Sequence, residues 1–205
     1  MGNTFGILLF PEMEELDFVG PLEAFGMYAK YFNKDWQVVT IAQTHDTVPG
    51  AKGMKVVPDH SFDDCPSLDV LVVPGGQGTE REVDNAALIS FVQQQAERCR
   101  YTTSVCTGAF IMERAGLLAG RKATTHWASV NRLRELGVDV VNERFVHEGN
   151  VITAAGVSAG IDMALYVVGL LSDAQTARNV QKAMEYYPEP PYAEAPAAVV
   201  GKGAS

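Results

Sequence analysis

The sequence predicts an α/β domain built on a mostly parallel sheet with helices on both faces. Short apolar strand candidates alternate with amphipathic helix candidates along most of the chain, which is the pattern of such folds. The candidate at 68–73 is apolar at nearly every position, as expected of a parallel strand covered on both faces. The chain of 205 residues is long enough for one domain of this kind.

The first half of the chain is expected to contribute three strands and two helices. The strands are apolar runs bounded by turn-forming residues, and they span 4–10, 36–42 and 68–73. An acidic loop at 12–17 follows the first strand, and Gly20 and Pro21 are expected to open the first helix. A weak hairpin-like stretch covers 53–62. The second helix covers 85–98, where the apolar side chains fall on one side.

The second half continues the alternation and completes the domain. Its predicted strands span 101–105, 122–125, 144–146 and 151–154, the last two forming a hairpin around Gly149 and Asn150. Its predicted helices span 107–118, 128–136, 159–171 and 174–186. We therefore expect a flavodoxin-like three-layer sandwich over 1–186. The remaining residues, 187–205, are rich in Pro and Ala and predict an extended C-terminal arm.

Composition and charge argue against several classes of partner. The formal net charge is −9, and no Lys/Arg stripe offsets it, so we expect no nucleic-acid partner. The apolar runs are far shorter than the ~20 residues of a membrane span, and we expect no membrane association. No signal peptide is evident, and three cysteines without CxxC spacing disfavour both a disulfide framework and a zinc site. A reducing cytoplasm is the expected location.

The strongest candidate for chemistry is Cys106. A strand candidate changes directly into a helix candidate at this residue, with the small residues Ser104 and Gly108 two positions away on either side. A nucleophile elbow needs small residues there so that its tight turn does not clash. A cysteine at a helix N-terminus is expected to favour the thiolate. The alternative is an ordinary buried cysteine, which is how we interpret Cys65 and Cys99.

Two further loops are expected at the same edge of the sheet, because ligands of open parallel sheets bind beyond the carboxyl ends of the strands. The glycine-rich turn 74–79 follows a central strand, and its amides can stabilise a developing negative charge. It lacks the third glycine of a dinucleotide-binding motif, since Arg81 stands in that place. A tight turn without any chemical role is the alternative interpretation.

Asp17 and His126 are the remaining titratable candidates. Asp17 lies among apolar residues, which would raise its pKa and suit proton donation, although a helix-capping role is the alternative. His126 is followed by Trp127 and resembles a base beside an aromatic lid. A lone histidine is more often structural.

These motifs together resemble the ThiJ/PfpI superfamily, whose members are relatives of the glutamine amidotransferase domain. The resemblance covers 5–192, and its strongest part is Thr103-Ser104-Val105-Cys106-Thr107-Gly108-Ala109. Other branches usually have His after the cysteine and Glu in the first loop, where this chain has Thr107 and Asp17. The set is most similar to isonitrile (isocyanide) hydratases and to the sensor domains of AraC-type regulators. Such regulators continue into roughly 100 residues of helix-turn-helix domain, which are not among these 205, so the hydratase is the expectation.

The resemblance implies a carbon–oxygen lyase that hydrates an isonitrile to an N-substituted formamide without metal or organic cofactor. Cys106 would attack the isonitrile carbon, Asp17 would help to protonate it, and water would release the product from a thioimidate. The amides of Gly76 and Thr107 would stabilise the negative charge. Weaker candidates for the substrate pocket are Gln77, His126, Trp127 and Val157.

The resemblance also implies a homodimer, and the sequence itself supports one. Tyr186, Tyr187 and Tyr192 lie in or beside the Pro-rich arm, where no local secondary structure would bury them, and aromatic residues are common interface anchors. A disordered tail is the alternative for the arm.

Three alternatives to the hydratase stay open: a ligand sensor without catalysis, a redox sensor that uses Cys106, and another cysteine hydrolase of the superfamily.

Overall fold

The computed structural model describes residues 3–192 of the chain. Its strands are β1 (Asn3–Leu8), β2 (Trp36–Ala42), β3 (Val48–Pro49), β4 (Lys55–Val56), β5 (His60–Ser61), β6 (Val70–Val73), β7 (Tyr101–Val105), β8 (Lys122–Ala123), β9 (Asp139–Val140), β10 (Phe145–Glu148) and β11 (Val151–Ala154). Seven of them form the central sheet in the order β10-β11-β7-β6-β1-β2-β5. All neighbours in this sheet are parallel except β10 and β11.

The helices form the two outer layers. They are α1 (Glu15–Met27), α2 (Thr79–Glu82), α3 (Ala86–Ala96), α4 (Gly108–Arg114), α5 (Val130–Glu135), α6 (Ala159–Leu171) and α7 (Ala174–Ala183). Helices α1, α6 and α7 contact one another, and α4 contacts both α2 and α3. The predicted three-layer α/β sandwich is therefore confirmed. None of the helices within 3–192 is both long and apolar enough to cross a membrane.

Several elements lie where the sequence predicts them. The bounds of β2, β7 and α6 agree with the prediction at both ends. Helix α3 begins after Asn85, whose side chain accepts hydrogen bonds from the amides of Ala87 and Leu88. The predicted hairpin is formed by the antiparallel pair β10 and β11. Long apolar runs and clear caps thus gave accurate boundaries.

The start of the first helix was predicted wrongly, and the difference matters for the site. Helix α1 begins at Glu15, so Pro21 lies inside it and Asp17 belongs to its first turn. Contact with α6 explains why the helix continues past this proline. The Pro21 ring lies against Gly160 of α6, and Gly20 comes so close to Ile161 that an added Cβ would be 2.9 Å from its Cγ1. Tertiary packing therefore outweighs the local helix-breaking tendency.

Three short features also differ from the prediction. The hairpin-like stretch divides: β4 pairs with β3, whereas β5 joins the edge of the sheet beside β2. The unpredicted short helix α2 begins at Thr79, the last residue of the predicted glycine-rich turn, and the unpredicted strand β9 pairs with β8. Elements of two to four residues are too short to show a periodicity.

Of the predicted arm, 187–192 has no regular structure and 193–205 lies outside the described residues.

Candidate active site

Cys106 occupies a sharp turn between β7 and α4. Its φ is 57°, a left-handed conformation that costs a non-glycine residue about 1–2 kcal/mol. Two hydrogen bonds hold this conformation: the Cys106 amide donates to the Ala155 carbonyl at 2.7 Å, and the Thr125 hydroxyl donates to the Cys106 carbonyl at 2.8 Å. The turn has the geometry that the sequence predicts for an elbow, and the cysteine is only 7% exposed.

Asp17 lies beside Cys106 and is fully buried. Its Oδ2 accepts a hydrogen bond from the Gly75 amide at 2.8 Å, whereas Oδ1 has no hydrogen-bond partner among the described residues. Burial raises the pKa of Asp17 to about 7, against the lowering effect of the Gly75 amide, and the charge of Glu14 adds to the increase. The Asp17 carboxyl therefore exchanges its proton near neutral pH.

The Cys106 thiol is protonated in the resting site. Burial and, to a smaller extent, the neighbouring Asp17 carboxylate raise its pKa to about 12, while the amides of Thr107 and Val157 act in the opposite direction. Burial therefore opposes the resting thiolate that the sequence leads us to expect. Helix α4 has only 7 residues, and its N-terminus does not outweigh the loss of solvent around the sulfur. The arrangement pairs a thiol with a carboxyl group that can accept its proton.

The glycine-rich loop reaches the pair through Gly75 rather than through Gly76. A Cβ on Gly75 would lie 2.5 Å from the Thr107 amide nitrogen and 2.9 Å from Asp17 Oδ2, so only glycine fits there. The Gly76 amide donates to the Thr107 hydroxyl at 2.9 Å. Gly76 is therefore not a free donor for negative charge in this arrangement, contrary to the prediction, because its N–H group already has a partner. The Thr107 amide does act on the sulfur.

The four weaker candidates for the substrate pocket differ in whether they contact the Cys106 sulfur. Val157 is strained, with a φ of 22°, and its amide acts on the Cys106 sulfur. His126 packs on the backbone next to it, since a Cβ on Gly156 would be 2.9 Å from His126 Cδ2. Trp127 is 49% exposed, with its ring centroid 5.6 Å from that of His126. Gln77 is exposed next to Gly76 in the chain. Contacts with the sulfur are thus shown for Val157 alone among the four.

Three residues that contribute to the site were not singled out from the sequence, although two of them, Gly75 and Thr79, lie in the turn 74–79 that is expected there. Gly75 holds Asp17, Thr125 holds the elbow, and Thr79 contacts the Thr107 hydroxyl at 3.1 Å. The close approach of Gly75 could have been suspected from its place in the glycine-rich turn, but no pattern marks the two threonines. Within 3–192, no group of three or more His, Cys, Asp or Glu side chains is arranged to hold a metal ion.

Comparisons with known proteins relate this geometry to a family. Residues 5–170 match the DJ-1/PfpI family. The isonitrile hydratase of Pseudomonas putida is 40% identical, and the match covers 98% of this chain and 88% of that protein. The HTH-type transcriptional regulator GbdR of Pseudomonas aeruginosa is 28% identical over 82% of this chain, which spans 46% of the regulator. A crystal structure of a THiJ/PfpI family protein from Pseudomonas syringae has a TM-score of 0.87 at 36% identity, covering 94% of this chain and 78% of that one.

Proposed function

Since the chain belongs to the DJ-1/PfpI family, we propose that it is a hydratase that converts isonitriles to N-substituted formamides through a covalent bond to Cys106. The observation that carries the proposal is the buried thiol placed beside a carboxyl group whose pKa is raised to about 7. The 40% identity to an isonitrile hydratase over nearly the whole chain supports the choice of substrate class.

The first step forms the carbon–sulfur bond. As the Cys106 sulfur attacks the terminal carbon of R–N≡C, the Asp17 carboxylate takes the thiol proton and delivers it to that carbon. The product is the thioimidate R–N=CH–S–Cys106, which contains every atom of the isonitrile and the thiol. Negative charge that develops on the sulfur is stabilised by the amides of Thr107 and Val157. A thiol with a high pKa reacts here because its base is adjacent.

The second step adds water and breaks the carbon–sulfur bond. Asp17, again a carboxylate, takes a proton from a water molecule as the water oxygen attacks the thioimidate carbon, and the Asp17 carboxyl group then passes this proton to the nitrogen. The tetrahedral intermediate R–NH–CH(OH)–S–Cys106 then expels the Cys106 sulfur, the proton of its hydroxyl group passes through Asp17 to the sulfur, and R–NH–CHO is released. Cys106 and Asp17 thus return to their initial states. No redox step occurs, and the protein supplies both the nucleophile and the base.

We also propose that the enzyme works as a homodimer in the cytoplasm. Tyr187 and Tyr192 are 61% and 87% exposed, which leaves two aromatic side chains available for an interface.

The proposed cytoplasmic location is supported by the cysteines. None of the three is in a disulfide, which fits a reducing compartment. The net charge of −9 fits a small-molecule substrate better than a nucleic acid.

The proposal is tested by incubating the protein with alkyl isocyanides and following formamide formation. We expect turnover by the wild type, and a decrease in kcat/KM of at least about a thousandfold in Cys106→Ser. Cys65→Ser is the matched control, since Cys65 is also a free thiol but lies outside the site. Activity that survives in Cys106→Ser would reject the covalent mechanism.

A ligand sensor is the second candidate, and the similarity to the regulator GbdR favours it. In that case isocyanides would bind without being consumed. Calorimetric titration with an alkyl isocyanide separates the two functions, because binding heat without formamide indicates a sensor. Steady release of formamide indicates the hydratase.

A further inference from the structure

The loop 155–158, which joins β11 to α6, is bonded directly to the elbow. The Cys106 amide donates to the Ala155 carbonyl at 2.7 Å, closer than to the Ala154 carbonyl at 3.1 Å. Val157 in the same loop has a φ of 22°, outside the regions that residues other than glycine ordinarily occupy. Such a conformation persists only where the surrounding structure holds the chain in place. The loop therefore needs an anchor on each side of Val157.

Arg144 supplies an anchor at both ends of this loop. At the start of the loop, the Ala155 amide donates to the Arg144 carbonyl at 3.0 Å, which continues the antiparallel pairing of β10 with β11. At the end of the loop, Nη2 of the Arg144 side chain donates to the Ser158 hydroxyl oxygen at 3.1 Å. The backbone and the side chain of one residue thus hold the two ends of the segment that contains Val157.

The Arg144 guanidinium is itself fixed by α6. Its Nε donates to Asp162 Oδ2 at 2.6 Å, and Asp162 lies in the first turn of that helix. Ser158 is the N-cap residue of the same helix, so both side-chain contacts of Arg144 lie at the start of α6. A guanidinium presents its donors in a rigid planar fork, which a lysine ammonium on a flexible stem does not reproduce.

We propose that Arg144 is a positioning residue, which holds the loop 155–158 so that the Ala155 carbonyl accepts the hydrogen bond of the Cys106 amide. Arg144 acts through the loop backbone on the conformation of the elbow, and not on the substrate. The effect on catalysis rests on the proposed function, whereas the effect on the elbow applies to any reaction at Cys106.

Hydrogen exchange of single amides, followed by NMR in the full-length protein, measures the effect on the elbow. We expect Arg144→Met to speed exchange of the Cys106 amide about fivefold, because the loop that carries its acceptor is no longer held at its end. The Thr102 amide is the internal reference, since it donates to the Asn150 carbonyl at 2.9 Å at the other end of the β7–β11 pair. Equal acceleration at both amides would show a general loss of stability and would overturn the inference.

Two further variants separate the loop contact from the loss of an exposed arginine. Ser158→Ala removes the hydroxyl that Arg144 contacts, so it should speed exchange at Cys106 in the wild type and have no further effect in Arg144→Met. Arg100→Met is the matched control, because Arg100 Nε also pairs with a carboxylate, at 3.0 Å from Asp69 Oδ1, but the residue precedes the start of β7. We expect exchange of the Cys106 amide in Arg100→Met to equal that of the wild type.

Turnover of an alkyl isocyanide gives a readout that a purely structural role would not change. We expect Arg144→Ala to lower kcat about fivefold with KM within about twofold of the wild type, since the nucleophile is displaced while substrate binding is retained. Methylguanidinium added to this variant should restore both kcat and the protection of the Cys106 amide, because the Arg144 side chain is 43% exposed and its place is open to solvent. Ammonium at the same concentration should restore neither.

The exchange measurement decides the inference even if the proposed function is wrong. Unchanged exchange of the Cys106 amide in Arg144→Met would overturn the role of Arg144, as would the same acceleration in Arg100→Met. Absence of formamide formation by the wild type would reject the hydratase and leave the result for the elbow intact.

Discussion

At the scale of single residues, the pairing of Asp17 with Cys106 explains how a buried thiol can react near neutral pH. The thiol has a pKa of about 12 and is not ionised at rest, but the neighbouring carboxyl group has a pKa of about 7. Above that pH, Asp17 is a carboxylate and can take the thiol proton as the carbon–sulfur bond forms. Burial therefore has two effects. It disfavours ionisation of the Cys106 thiol, and it raises the pKa of Asp17 so that this carboxyl group can act as the base near neutral pH.

This account predicts that Asp17→Asn stabilises the fold as the pH rises. The folded pKa of about 7 lies above the ordinary value of 3.8, so the wild type loses stability as the pH rises through this window, whereas Asn has no such titration. The free energy of unfolding of the variant relative to the wild type should increase by about 1.4 kcal/mol per pH unit within the window. Urea unfolding at several pH values measures it.

The same variant should lose turnover by a factor of about 10² to 10⁴, because it lacks the base. A gain in stability together with a loss of activity is the signature of a strained functional group. A stability difference that stays constant with pH would show that Asp17 does not titrate in this window.

The position of Cys106 could be predicted from its neighbours, but its protonation state could not. The small residues Ser104 and Gly108 are visible in the sequence and indicate the elbow. The pKa of Cys106 depends on burial and on groups distant in the chain, since the Asp17 carboxylate of α1 raises it and the backbone amide of Val157 lowers it. Such contacts arise only when the elements pack together.

At the scale of elements, the elbow depends on how closely α4 approaches the end of β6. A Cβ on Gly108 would lie 2.3 Å from the Val73 carbonyl oxygen and 2.7 Å from that of Pro74. Both atoms are backbone, so the clash cannot be relieved by a change of rotamer. The first residue of α4 is thus fixed as glycine by its contact with a neighbouring strand.

Gly108→Ala is accordingly expected to lower the free energy of unfolding by about 1–3 kcal/mol, since overpacking shifts the backbone. Gly26→Ala in α1 is the matched control. An added Cβ there meets nothing within 4 Å, and alanine in a helix should stabilise it by roughly 0.5–1 kcal/mol. Chemical denaturation of both variants gives the comparison. Equal effects at the two positions would contradict the packing of the elbow.

Element boundaries were predictable where local signals and packing agree. Asn85 caps α3 as its sequence indicates. The start of α1 was not predictable, because Gly20 and Pro21 locally favour a break, whereas their packing against Gly160 and Ile161 of α6 favours a continuous helix. This one boundary decides whether Asp17 belongs to a loop or to a helix in contact with the site.

At the scale of the whole molecule, the assembly and the predicted arm can be tested together. Sedimentation of the full chain should show a dimer at micromolar concentration, and a version that ends at Tyr186 should dissociate more readily because it lacks Tyr187 and Tyr192. Tyr186 is retained in the short version because it packs against the core. A monomeric full chain would contradict the dimer, and an unchanged dimer in the short version would show that the arm is not needed.

The central claim is that catalysis passes through a covalent adduct on Cys106, and mass spectrometry tests it most directly. The protein is mixed with an alkyl isocyanide, quenched in acid after increasing times, and digested for peptide mapping. We expect the peptide that contains Cys106 to gain the mass of one isocyanide molecule before formamide accumulates, and to lose it when the isocyanide is consumed. Formamide that forms without this adduct at any time, or an adduct on Cys65 or Cys99 instead, would contradict the account.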